Sequence, residues 1–71
     1  MDELEDENEH PDDNTPATEL KVVAYLMREY DFSQVKAENS VRNNPGIMNS
    51  GKLHGSFTYY VGDKIAEACG Q

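Results

Sequence analysis

The chain has 71 residues, a net charge of −8 and 37% hydrophobic residues, with four Tyr, two Phe and no Trp. That is one small domain near the lower limit of what a single core can hold together, so a partner or self-association is expected to contribute. The longest apolar run, residues 22–27, is far too short to span a bilayer, and an acidic, polar N-terminus argues against a signal or transit peptide. The lone Cys69 cannot form an internal disulfide, which points to a reducing cytoplasm.

The charge is unevenly placed. Asp2, Glu3, Glu5, Asp6, Glu7, Glu9, Asp12, Asp13 and Glu19 precede every Lys and Arg, whereas residues 20–71 carry six bases against five acids. Residues 1–14 hold Leu4 as their one apolar side chain besides Met1, too little to offset ordering entropy, and read as a disordered acidic tail ahead of a domain at 15–71. The tail either solubilises the chain or acts as a polyanion that mimics nucleic-acid phosphates, with Glu5, Asp6, Glu7, Asp12 and Asp13 meeting a basic partner. His10 among these carboxylates has no spacing suited to a metal.

Thr15-Pro16 reads as a helix start, with Thr as cap, Pro at the first helical position and Glu19 in the first turn. Leu20, Val23, Met27 and Tyr30 recur at three- and four-residue steps, which predicts the core-facing stripe. Val22 and Leu26 widen that stripe, either as a broader core face or as a contact surface for a partner or a second copy. Lys21, Tyr25 and Arg28 are expected on the solvated side.

Ser33 or Asp31 caps a second helix through Val35, Ala37 and Val41, with Phe32 packing back on the first. Asn44-Pro45-Gly46 then reads as the start of a short third helix ending at Gly51, or as a type II turn. Cations and amides are frequent from here on. Lys36, Arg42, Asn43, Asn49, Lys52 and His54 form a candidate phosphate- and base-contacting set, or an ordinary solvated surface.

From Leu53 to Val61 the residues alternate with period two and are rich in β-formers, which predicts a half-buried strand paired through a tight turn at Gly55 with Lys52-Leu53. Tyr60, opposite Phe57 and Tyr59, is then the exposed aromatic, free to stack on a base or anchor a protein contact. Gly62 breaks the strand, and Asp63 caps a last helix carrying Ile65, Ala66, Ala68 and Cys69 before Gly70.

The order of three helices, hairpin and closing helix, with Tyr59-Tyr60-Val61-Gly62-Asp63-Lys64-Ile65 as the end of a wing, resembles the winged-helix class of helix-turn-helix domains. The expected fold is therefore α+β. Leu20-Lys21-Val22 and Val41-Arg42-Asn43-Asn44 are also similar to stretches of small phage winged-helix inhibitors of host RNA polymerase. The resemblance implies a recognition helix near residues 45–50, which carry no Lys or Arg.

No phosphate loop, zinc spacing or nucleophile signature is present in the sequence, and the acid pairs lie where nothing holds them at fixed separation, so no enzyme and no cofactor are expected. The leading expectation is a small regulatory protein that binds and modulates a basic nucleic-acid-handling or transcription protein. The alternative is a DNA-binding winged-helix regulator restrained by its tail. A body near neutrality gains little from phosphate neutralisation, which ranks protein binding first.

Overall fold

The computed structural model describes residues 13–70, which form four helices: α1 (Glu19–Glu29), α2 (Gln34–Arg42), α3 (Pro45–His54) and α4 (Thr58–Ala68). Among the described residues there is no strand, only an isolated antiparallel bridge between Pro16 and Phe57. The expected α+β architecture is thereby overturned, and the hairpin that carried the winged-helix resemblance is absent.

The region read as a strand, residues 53–61, is the end of α3, a short connection and the start of α4. Its period-two alternation is real, but Thr58, Val61, Gly62, Ile65 and Ala66 also repeat at helical spacing, and these are the residues the helix buries. Two members of that stripe disguise it, because a threonine and a glycine do not register as core residues. Thr58 is fully buried, and its hydroxyl donates to the Thr15 carbonyl at 3.0 Å. Gly62 lets the helix approach α1, since a Cβ there would run into Cδ2 of Tyr25. Gly51, expected to stop α3, likewise sits inside its helix against Val61.

Caps set the other boundaries. α1 starts three residues later than expected, at Thr18, whose hydroxyl accepts from the Lys21 N–H at 3.2 Å. Ser33 caps α2 by accepting from the Lys36 N–H at 3.1 Å. Between them, Asp31 takes a left-handed φ of 59° that reverses the chain, and the Phe32 N–H returns to the Leu26 carbonyl. Pro45 does occupy the first turn of a helix, but that helix continues to His54 and ends at Gly55, whose φ of 67° suits a residue without Cβ. Asp63 lies in the middle of α4 and caps nothing.

The core consists of Ala17, Val22, Val23, Leu26, Phe32, Ala37, Val41, Met48, Val61, Ile65 and Ala66. Each large side chain among them contributes roughly 1.5–3 kcal/mol by leaving water. Val22 and Leu26, proposed from the sequence as a possible partner face, are completely buried and hold α1 against the core. The stripe expected to face inward does so only in part: Val23 is in the core and Tyr30 packs against it, but Leu20 is 80% exposed and Met27 38%. Helix α1 is thus rotated relative to the sequence reading. Tyr25, expected in solvent, is buried, and its hydroxyl donates to Asp63 at 2.7 Å, as does that of Tyr30.

A candidate interaction surface at the start of the last helix

Helix α4 has no side-chain cap. Its first N–H groups are satisfied instead by the incoming chain: Thr58 N–H donates to the Thr15 carbonyl at 2.9 Å and Tyr59 N–H to the Asp13 carbonyl at 3.2 Å. Ala17 N–H completes the contact by donating to Ser56 O at 2.9 Å. Residues 13–17 therefore form a strap across the α3–α4 connection. Arg28 fastens its end, donating to the Asp13 carboxylate at 2.6 Å. Burial alone would lower the guanidinium's pKa, but its bonds to Asp13 and Glu29 outweigh that and hold it above the ordinary value. Asp13, counted in the acidic tail from the sequence, is 7% exposed and belongs to the folded unit.

The strap positions an aromatic surface. Phe57, Tyr59 and Tyr60 are 44%, 43% and 51% exposed, and Leu53 on the last turn of α3 is 81% exposed. Phe57 and Tyr59 meet edge to face with centroids 6.0 Å apart, and the Lys64 ammonium lies 5.2 Å from the centre of the Tyr60 ring. Two shallow grooves run beside these rings. One is walled by His54, Phe57 and Tyr59, the other by Ile47, Val61 and Lys64; Ser50, Ser56 and Tyr60 border both, so Tyr60 stands on the ridge between them. Residues 39–62 contain no Asp or Glu, so α3 and the start of α4 are free of negative side chains.

The cations and amides grouped from the sequence do not all gather here. His54 and Tyr60 share a groove wall, and Lys52 and Asn49 are exposed on α3. Lys36 is elsewhere, on α2, with its ammonium 4.3 Å from the centre of the Phe32 ring. Arg42 lines a different groove, between α1 and α2, together with Glu19 and Glu38, and Asn43 follows it as the α2 cap. Glu5, Asp6, Glu7 and Asp12, like His10, lie outside the described residues.

Sequence reasoning placed Phe57 and Tyr59 on the buried face of a strand, and so missed them as surface residues. Among the described residues, no group of three His, Cys, Asp or Glu is placed to hold a metal ion, and no helix is long and apolar enough to cross a membrane. No protein-family model matches the chain, and no curated protein or solved structure matches it either.

Proposed function

We propose that this chain is a small non-enzymatic binding protein that engages a protein partner with a basic surface, through the Phe57–Tyr59–Tyr60 face and the acidic residues that precede Asp13. The supporting observation is the bond from the Tyr59 N–H to the Asp13 carbonyl. It sets Asp13 beside the aromatic face, and seven acids precede Asp13 in the sequence. Those seven outnumber the Lys52 and Lys64 ammonium groups, which favours a cationic partner, and exposed aromatics supply the desolvated anchors on which binding energy concentrates. Tyr60, already close to an ammonium group, shows the kind of contact a partner's Arg or Lys would make on these rings. Such a partner fits a nucleic-acid-handling or transcription protein, whose own binding groove is cationic.

The test is a calorimetric titration with an arginine-rich peptide over a salt series. Neutralising Glu5, Asp6, Glu7 and Asp12 to their amides weakens binding and flattens its salt dependence. Tyr59→Ser with Tyr60→Ser weakens binding while leaving the salt slope in place. Unchanged affinity in the tyrosine variant refutes the reading, as does duplex DNA binding the full chain more tightly than the peptide does.

A further inference from the structure

The outward face of α1 and α2 carries a second, separate surface, and its charges complement each other. Leu20, Val23 and Met27 share one stripe of α1 by their three- and four-residue spacing, and Val35, Glu38 and Arg42 share one stripe of α2. Leu20 is 80% exposed, Val35 67% and Met27 38%, which is unusual apolar exposure for two adjacent helices in so small a fold. The two stripes meet in a groove lined by Glu19, Leu20, Val23, Glu38 and Arg42. Glu38 accepts a bond from the Gln34 amide at 3.1 Å, while Glu19 and Arg42 make no ion pair among the described residues.

We infer that this groove is the interface of a homodimer, occupied by the same groove of a second copy. A two-fold interface apposes a patch with itself, so a patch that carries charge is self-complementary only if it holds both signs. This one does. Across a two-fold axis passing near Leu20, each Arg42 faces the partner copy's Glu19 and Glu38, and the two Leu20 side chains cover each other over Val23. A single-sign patch would repel its copy, and a purely apolar one would not fix the register. Burying Leu20 also supplies apolar contact that a core of this size lacks. None of the groove residues belongs to the aromatic face, so dimerisation leaves that face free and doubles it in each assembly.

Sedimentation equilibrium of the full chain over a dilution series tests the inference. Physiological salt is required, because two copies of charge −8 repel at long range in dilute buffer. The full chain shows a concentration-dependent dimer mass. Arg42→Glu alone, and Glu19→Lys with Glu38→Lys alone, each weaken dimerisation by about tenfold or more, because every cross-axis pair becomes repulsive. An equimolar mixture of the two variants recovers the dimer, since every pair is then attractive again. Leu20→Asp is monomeric with unchanged circular dichroism, because Leu20 lies outside the core. A full chain that stays monomeric at the highest concentration overturns the inference. So does a Leu20→Asp dimer of unaltered affinity, or a mixture of charge variants that remains monomeric.

Discussion

The ring of Tyr25 lies directly over the backbone of Gly62, so close that a methyl group on Gly62 would collide with Cδ2 and reach 2.7 Å from Cε2. Helix α4 approaches α1 at the one inward position where its side chain is a hydrogen, and the buried tyrosine fills the space a Cβ would take. Gly62→Ala therefore destabilises the fold by about 1–3 kcal/mol through overpacking, despite the better helix propensity of Ala. Gly46, in the first turn of α3, has open space instead, with nothing within 4 Å of the point a methyl group would occupy. Gly46→Ala raises stability by up to about 1 kcal/mol. Urea denaturation of the two variants should show midpoints displaced in opposite directions.

Asp31 ends α1 in a left-handed conformation, with φ at 59°. An L-residue with a Cβ is strained there and glycine is not, while glycine's freer unfolded chain takes back part of the gain. Asp31→Gly is expected to stabilise by about 0.5–1 kcal/mol, and Asp31→Val to destabilise by more than that, because a β-branched residue tolerates this region worst. Thermal unfolding followed by circular dichroism checks both.

Tyr25 and Tyr30 share one acceptor, the Oδ1 of Asp63, with both hydroxyls at 2.7 Å. Burial, then the hydrogen bond to Asp63 and its charge, pushes the Tyr25 phenol far above its ordinary value. For Tyr30 the hydrogen bond to Asp63 leads and burial adds to it. Both phenols thus stay protonated in the folded chain at a pH where the unfolded chain ionises them. The stability this brings is complete below an unfolded pKa of about 10 and falls as pH rises beyond it. Tyr25→Phe with Tyr30→Phe loses stability at neutral pH and shows a shallower decline under alkaline conditions. A double variant that declines as steeply as the parent in pH-dependent urea titrations would remove these two residues from the account.

The strap is fastened at its end by Arg28 and Asp13, a pair in which the Arg side chain is 37% exposed and the Asp 10%. Solvent screens such a pair, so Arg28→Gln costs at most about 1 kcal/mol globally. Its local effect is larger. Amide exchange at Tyr59, which donates to Asp13, and at Thr58, which donates to Thr15, should accelerate relative to the core amide of Ile65. Hydrogen exchange read by NMR distinguishes this local loosening from general destabilisation.

Much of the helical scaffold was legible in the sequence, where the relevant signal is local. Ser33 as a cap and Pro45 at a helix start follow from the chemistry of orphan backbone N–H groups at helix ends, and both hold in the structure. What could not be read was the orientation of α1 and the nature of residues 57–61. Leu20, Val22, Val23, Leu26 and Met27 spread over an arc of about 160°, wider than one packing stripe, so spacing alone cannot say which edge of that arc faces inward. That choice is made by α4, which brings Asp63 to the hydroxyl of Tyr25 and Gly62 beneath its ring. Phe57-Thr58-Tyr59-Tyr60-Val61 has strand propensity, but the carbonyls of Asp13 and Thr15 fix it as a helix start by accepting its first N–H groups. Those acceptors lie more than forty residues away in sequence. The aromatic face was missed for the same reason, since alternation assigned Phe57 and Tyr59 to the inner side of a sheet.

The closure of Thr15 on Thr58 also has a temporal meaning. Residues 13–15 dock on α4, so this contact forms only after Thr58 and Tyr59 have been made and α4 has wound. Until then Asp13 and the rings of Phe57, Tyr59 and Tyr60 are not brought together. A partner that must touch both would pass over chains in which α4 has not yet docked, with one backbone hydrogen bond at Tyr59 marking the docked state.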